Sequence, residues 1–154
     1  MVNRRESLMS LALDEARAAT SVGEVPVGAV LVDGANGEIL GRAHNEVEAR
    51  CDPTAHAEML VISAVARRLG LKRLEGADLY VTLEPCPMCA AAVSFARLRR
   101  LYFGAYDPKS GGVEHGPKIF SQSTCHHRPE VIGGLEEIQC GALLHEFFAA
   151  RRPG

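Results

Sequence analysis

The N-terminal part of the chain places apolar residues at helical spacing. Leu11 and Ala12 follow Leu8 by three and four positions, which is typical of a helix with one apolar face. Gly23 follows this stretch and favours a helix end. Four helices are predicted in all, over residues 6–22, 54–69, 87–97 and 135–152.

Short apolar and β-branched runs lie between these helices. Residues 27–33 form such a run, and the Asp-Gly-Ala-Asn-Gly sequence at 33–37 is typical of a tight turn. A hairpin between residues 27–33 and 38–44 is therefore predicted. Further strands are predicted over residues 77–83, 99–104 and 130–133.

The order of these elements predicts an α/β protein. A helix and a hairpin are followed by alternating helices and strands, which describes a mixed five-stranded sheet with helices on both faces. A length of 154 residues predicts a single domain, residues 1–154. Residues 107–128 carry no periodic pattern, and so long a loop in a small domain is usually functional.

Composition narrows the classes of function. A net charge of −2 argues against a general nucleic-acid coat, although Lys and Arg form local clusters. Five cysteines, an odd number, show no disulfide framework. Because the sequence lacks a signal-peptide pattern and a long apolar run, we expect a reduced, cytoplasmic protein without membrane contact. We expect no organic cofactor.

Two short motifs carry the strongest chemical signal: His-Ala-Glu at 56–58 and Pro-Cys-Pro-Met-Cys at 85–89. His56, Cys86 and Cys89 offer one imidazole and two thiolates, which are preferred ligands of Zn²⁺. Since three protein ligands leave one tetrahedral position open for water, this set indicates catalytic zinc. Glu58 is not a ligand in this set and is predicted to carry protons beside it.

The spacing of each motif predicts where it lies on a helix. Cys86 and Cys89 are three residues apart, so a first helical turn brings both sulfurs to one side, and the neighbouring prolines suit a helix start. The helix dipole there favours thiolates.

His56 and Glu58 would diverge within a helix, so they are expected at a second helix N-terminus. Asp52 or Thr54 is the predicted N-cap of that helix. Two helix N-termini are therefore predicted to face one metal.

Other interpretations of these residues remain open. A lone C-x-x-C pair can be a redox centre. A structural zinc site would need a fourth ligand, for which the sequence offers Cys51, Cys125, His126 and His127. Glu58 and the prolines favour the catalytic interpretation.

Together the two motifs match the H-x-E and P-C-x-x-C signature of zinc-dependent base deaminases. Other stretches match more narrowly: Glu-Val-Pro-Val-Gly-Ala-Val at 24–30, His-Asn at 44–45, Phe-Gly-Ala-Tyr-Asp at 103–107 and Phe-Phe-Ala-Ala-Arg-Arg at 147–152. Over essentially its whole length the chain resembles the bacterial tRNA-specific adenosine deaminases of the cytidine-deaminase-like superfamily.

This resemblance implies a three-layer α/β/α cytidine-deaminase-like fold, one Zn²⁺ per subunit and a homodimer. It also implies hydrolytic deamination of adenosine to inosine at the wobble position of a tRNA anticodon. Zinc would activate a water for attack on C6 of adenine. Glu58 would take the proton, pass it to the purine ring and later protonate the departing ammonia.

The resemblance further implies contacts with the reacting nucleoside. Asn45 would hydrogen-bond the nucleoside, while Val27 and Leu83 would shape an apolar pocket. The backbone around Ala57 and Pro85 would orient the base. Asn45 could instead be a simple turn residue.

Contacts with the anticodon stem-loop are implied for two other regions. Asp107 and Lys109 would contact nucleotides that flank the target. The last helix would contribute Phe147, Phe148, Arg151 and Arg152. Plainer roles stay open, because Asp107 could be a turn residue, one phenylalanine could be core, and the arginines could be solvated.

Two other functions also remain open. The Pro-Cys-Pro-Met-Cys form occurs in free guanine deaminases of the same superfamily, so a free nucleobase or nucleoside deaminase is the second hypothesis. The third is a non-catalytic structural zinc module, in which replacing Glu58 would change no activity.

Overall fold

This computed structural model describes residues 3–151. Five strands in this part of the chain form one mixed sheet. The strands are β1 Gly28–Asp33, β2 Ile39–His44, β3 Ala77–Leu83, β4 Arg100–Ala105 and β5 Glu130–Ile132. Their order in the sheet is β2-β1-β3-β4-β5. Strand β1 pairs antiparallel with β2 and β3, whereas β3, β4 and β5 are parallel. The predicted mixed five-stranded sheet is confirmed.

Helices cover both faces of this sheet. They are α1 Arg4–Ser21, α2 Val47–Arg50, α3 Ala57–Leu69, α4 Pro87–Phe95 and α5 Glu137–Arg151, with a 3₁₀ turn at Ile119–Ser121. One apolar cluster joins α3 and α4 to the sheet, and a second joins α1 and α5 to its other face. The predicted three-layer α/β/α fold is confirmed.

Strand β1 shows how the sequence divides between the two clusters. Ala29 and Leu31 belong to the α3–α4 cluster, whereas Val30 and Val32 belong to the α1 cluster. This alternation follows the two-residue period of a strand. Because both faces are covered, the strand is an apolar run rather than an alternating one.

Two glycines let the outer helices approach the sheet closely. A Cβ at Gly28 would overlap the backbone of α1, and a Cβ at Gly104 would overlap Cys140 of α5. The position of α5 matters most for the site, because the far end of this helix reaches the cavity described below.

The predicted start of the second helix was wrong. Helix α3 begins at Ala57, with His56 as its N-cap, instead of at residue 54 with Asp52 or Thr54 as the cap. The Asp52 carboxylate accepts hydrogen bonds from the backbone N–H and the hydroxyl of Thr54, at 2.8 and 2.7 Å. Asp52 therefore closes a local turn, a conformation that competes with helix.

Other boundaries coincide with the predictions or differ from them by one or two residues, and α2 was not predicted at all. Residues 107–128 are irregular except for the 3₁₀ turn, as expected. Within residues 3–151, no helix combines the length and the hydropathy that crossing a bilayer requires.

Candidate active site

The three predicted metal ligands meet where two helices begin. His56 is the N-cap of α3 and Cys86 is the N-cap of α4, and neither side chain caps its own helix. His56 Nδ1 lies 3.6 Å from the Sγ of Cys86 and 3.4 Å from the Sγ of Cys89. The predicted convergence of two helix N-termini is thus present.

These distances fit zinc. Tetrahedral Zn²⁺ with ordinary Zn–S and Zn–N bonds would separate the nitrogen from each sulfur by about 3.6 Å. In the described part of the chain, His56, Cys86 and Cys89 are the one group of three or more such donors with ligand atoms within 4.8 Å of one another. None of the four candidate fourth ligands joins the group, so the donor set is that of an open zinc site.

One of the three ligands, Cys86, is stabilised as a thiolate. The hydrogen bond from the Cys89 thiol, together with one from His56, lowers the pKa of Cys86 to about 4. The same hydrogen bond raises the pKa of Cys89, and the contact with Cys86 raises the pKa of His56. A thiolate at Cys86 therefore lies at the positive end of α4, where the helix dipole stabilises it.

Glu58 lies in the first turn of α3 with only 4% of its surface exposed. Burial raises the pKa of its carboxyl to about 7, and a hydrogen bond from the backbone N–H of Glu58 itself opposes that rise more than the contact with the Cys89 thiol does. The side chain borders the same cavity as His56 and Cys86. A carboxyl able to hold a proton near neutral pH is thus placed beside the ligands.

His56, Cys86 and Glu58 line a cavity of about 1150 Å³, and the fully buried Cys89 lies against His56 without lining it. These four residues are called here the floor of the cavity. Val27, Leu83 and Asn45 line this cavity, and their contact with the base stays a prediction. The Asn45 side-chain oxygen accepts a hydrogen bond from the N–H of Ala57 at 2.8 Å, so Asn45 also fixes the start of α3.

Ala57 and Pro85 are buried and are not among the residues that line the cavity. The N–H of Ala57 donates to Asn45, and the carbonyl of Pro85 accepts from the N–H of Gly112 at 2.8 Å. These backbone groups have partners within the protein. Their contact with the base stays a prediction.

Asp107 and Lys109 line one side of the cavity rim. The Asp107 side chain accepts hydrogen bonds from the backbone N–H groups of Lys109 and Ser110, at 3.2 and 3.0 Å. Asp107 is therefore both a turn residue and a wall residue, so the two interpretations of it are compatible.

The end of α5 forms another part of the rim. Phe147 is buried, while Phe148 is 49% exposed, and their rings meet edge to face. The guanidinium of Arg151 lies 3.5 Å over the Phe147 ring. Arg152, the other predicted RNA contact here, lies outside the described residues.

Two buried carboxylates near the site were not predicted. Glu24 accepts hydrogen bonds from the N–H groups of Glu48 and Ala49, at 3.0 and 2.8 Å, and so holds α2 beside the cavity. Glu84 follows β3 directly. Burial alone would raise the pKa of Glu84, but hydrogen bonds from the Asp107 backbone and from His115 hold it below its usual value. Glu24 opens the matching stretch at 24–30, and Glu84 directly precedes the Pro-Cys-Pro-Met-Cys motif at 85–89. A charged residue at these two positions was the available signal.

Comparison with known proteins agrees with this geometry. Residues 2–105 match the family described as the cytidine and deoxycytidylate deaminase zinc-binding region. The tRNA-specific adenosine deaminase of Agrobacterium fabrum is 55% identical over 148 residues, 96% of each chain. The enzyme of the same name from Bacillus subtilis is 49% identical over 147 residues, 96% of this chain and 90% of the relative.

Solved structures show the same fold. A structure from a study of A-to-I editing by tRNA:A34 deaminases at the wobble position of transfer RNA has a TM-score of 0.87 and 56% identity, and it covers 90% of this chain and 99% of its own. Guanine deaminase from Nitrosomonas europaea has a TM-score of 0.82 at 23% identity, over 94% of this chain and 84% of its own, which shows the fold alone. The chain belongs to the tRNA-specific adenosine deaminases, within the zinc-binding cytidine and deoxycytidylate deaminase family.

Proposed function

We propose that this protein hydrolyses adenosine to inosine and ammonia at the wobble position of a tRNA anticodon. The observation that carries the proposal is the floor of the cavity, where buried Glu58 lies beside a three-donor zinc site with an open position. The names of relatives that are 49–55% identical over nearly the whole chain support the choice of substrate.

His56, Cys86 and Cys89 would hold the zinc, which supplies Lewis-acid activation of water when it is bound. Glu58 acts as the general base and then as the general acid. Its carboxylate takes a proton from the attacking water and delivers it to a ring nitrogen of the purine. It then takes the proton of the hydroxyl formed at C6 and delivers it to the amino group, which leaves as ammonia while the C6 carbonyl forms. Water adds at C6 and ammonia departs from it, so the atoms of the hydrolysis balance.

Asn45, Val27 and Leu83 would hold the adenine base above this floor. The oxygen of the Asn45 amide is occupied by the Ala57 N–H, which leaves the amide NH₂ group free to donate to an acceptor on the nucleoside. Val27 and Leu83 line the cavity and offer apolar surface for the ring.

The size and lining of the cavity favour RNA over a free base. Pockets that enclose a small molecule range up to about 1000 Å³, and this cavity exceeds that although a single base is much smaller than a drug-sized ligand. Lys109 and Arg151 offer cations for phosphates, and half-exposed Phe148 offers a ring on which a base can stack. Membership in an enzyme family and the presence of Glu58 argue against a non-catalytic zinc module.

We further propose a cytoplasmic homodimer that uses α4. Phe95 at the end of this helix is 78% exposed, and Ala91 and Ala92 on the same helix are half-buried. A large exposed aromatic residue beside small ones suits a helix contact. Light scattering on the wild type and on Phe95→Asp tests this, since a dimer that depends on α4 should become monomeric in the variant.

The test of the function is an inosine assay. Zinc-loaded protein is mixed with an anticodon stem-loop that carries a wobble adenosine, and separately with free adenosine, adenine, guanine and cytosine, with Glu58→Ala as control. We expect turnover of the stem-loop alone and none by the variant. Turnover of a free base with an untouched stem-loop would instead assign the protein to the free-base deaminases.

A further inference from the structure

A single buried carboxylate holds both ends of the segment 107–115, called here the 107–115 loop. Glu84 is 1% exposed. Its Oε1 accepts hydrogen bonds from the N–H of Asp107 at 3.0 Å and from Nδ1 of His115 at 2.8 Å. Its Oε2 accepts from the N–H groups of Val113 at 3.2 Å, Glu114 at 2.9 Å and His115 at 3.1 Å.

These five hydrogen bonds use the whole acceptor capacity of the group, since a carboxylate offers about four lone-pair sites. Three of the donors are successive backbone N–H groups, at 113–115, which form the kind of concave nest that binds an anion. The anion in this nest is the protein's own Glu84. Because both oxygens are occupied, Glu84 is not available to move protons or to bind a metal.

Close packing reinforces the attachment. A Cβ at Gly111 would overlap the Glu84 carboxylate, and a Cβ at Gly112 would overlap the backbone of Cys86 and Pro87. The N–H of Gly112 also donates to the Pro85 carbonyl. The 107–115 loop therefore lies directly against the start of α4, and glycine is required for that approach.

The part of the loop between its two attached ends faces the cavity. Lys109 and Ser110 line the rim there, next to Asp107 at the attached end. Ordering a long irregular loop costs conformational entropy. If the loop is already ordered in the free protein, that entropy cost does not weaken the binding of the substrate.

We infer that Glu84 is a positioning residue for substrate binding, which fixes the 107–115 loop in the shape that presents Lys109 and its neighbours to the RNA. This inference rests on the proposed function. Glu84 borders the cavity, but both of its carboxylate oxygens accept hydrogen bonds from the loop. Its effect is therefore on the binding of substrate and not on the chemical step.

Two variants attack the same contact from opposite sides. Glu84→Gln replaces an acceptor oxygen by an NH₂ group that faces N–H donors. Gly111→Ala places a methyl group against the Glu84 carboxylate from the loop side, away from the zinc ligands. The matched control is Asp78→Asn, because Asp78 is another buried carboxylate, 4% exposed, which binds Arg99 at the opposite end of β3.

The measurements are zinc content, kcat and KM on the anticodon stem-loop, and hydrogen exchange of the amides at 107 and 113–115. In both variants we expect KM to rise about tenfold while kcat stays within about threefold, as for lost uniform binding. Those amides should exchange faster than in the wild type. The KM of the double variant should be little higher than that of the single variant with the larger effect, because both substitutions disrupt the same contact. Asp78→Asn should show neither effect.

Several outcomes would overturn the inference. One is a zinc-replete Glu84→Gln with wild-type KM and wild-type exchange; another is a loss confined to kcat; a third is an equal rise of KM in Asp78→Asn. If Glu84→Gln loses zinc, Gly111→Ala decides by the same criteria. If the wild type does not deaminate the stem-loop, the proposed function fails, and the exchange comparison alone decides whether Glu84 anchors the loop.

Discussion

The floor and the rim of the cavity are built in different ways. The floor consists of His56, Glu58, Cys86 and Cys89, which lie in the first turns of two helices or at their caps. The rim consists of α2, the 107–115 loop and the end of α5, which are held by contacts from distant residues. The residues proposed for the chemistry are thus placed by short stretches of chain, while the segments proposed to bind the RNA are held in place by distant residues.

The largest effect should come from removing a ligand from the floor. Cys89→Ala should reduce zinc content from one ion per chain towards zero, abolish activity and lower the melting temperature, since metal binding is coupled to folding. The matched control is Cys140→Ala, because Cys140 is equally buried and burial raises its thiol pKa to about 12, but it lies outside the site. Metal analysis and thermal unfolding check this. A zinc-replete, active Cys89→Ala protein would refute the ligand set.

The next largest effect should come from Glu58→Gln. Loss of a positioned general acid and base should lower kcat by about 10²–10⁴-fold while zinc content and stability remain. Glu48→Gln is the control, because Glu48 lines the same cavity on the rim. Single-turnover kinetics on the stem-loop measures the difference. Near-normal turnover by Glu58→Gln would remove Glu58 from the proton-transfer role.

Two adjacent phenylalanines separate stability from binding within the rim. Phe147→Ala should lower the free energy of unfolding by about 3 kcal/mol, because this ring is 6% exposed and packs against the Arg151 guanidinium. Phe148→Ala should leave stability within about 0.5 kcal/mol of the wild type, since half of this side chain is solvated. It should instead raise KM on the stem-loop severalfold.

Urea denaturation and steady-state kinetics on both variants test this contrast. If Phe148→Ala is the more destabilising change, or leaves KM untouched while stability falls, then Phe148 belongs to the core and not to the binding surface.

The smallest effect should come from one rim cation. Lys109→Ala should weaken stem-loop binding a few-fold and reduce the salt slope of log K by about one, as loss of one phosphate contact predicts. Arg73→Ala is the control, because Arg73 lies beside Gly76 and Arg99 at the other end of the sheet. Binding titrations at several salt concentrations measure both. Equal slopes for Lys109→Ala and the wild type would exclude a phosphate contact at Lys109.

The floor could be predicted from the sequence because each half of it is local. One helical turn brings Cys86 next to Cys89, and the same kind of turn carries His56 and Glu58. The error at this level was the start of α3. Asp52 has the chemistry of a helix cap, and only the folded chain shows that its carboxylate accepts hydrogen bonds from Thr54 instead.

The rim could be predicted only in part, because its order comes from contacts remote in the sequence. Glu24 acts on residues 24 and 25 positions away, and Glu84 acts on residues 23 to 31 positions away. Such contacts leave no periodic pattern in α2 or in the 107–115 loop. Motif matching placed Asp107, Lys109 and the α5 residues near the site, but it gave no reason for the loop to be ordered.

Because His56 and Cys86 are helix caps, the number of residues in each ligand-bearing helix start cannot change without moving a ligand. A residue inserted between Cys86 and Cys89 would turn the second sulfur by about 100° and move it by about 1.5 Å along the helix. That rotation would carry Cys89 away from His56, 33 positions earlier in the chain. An insertion in the turn at 33–37 would only lengthen the tip of a hairpin. Variation in length among such proteins should therefore accumulate in turns and loops, and both ligand-bearing helix starts should keep their residue count.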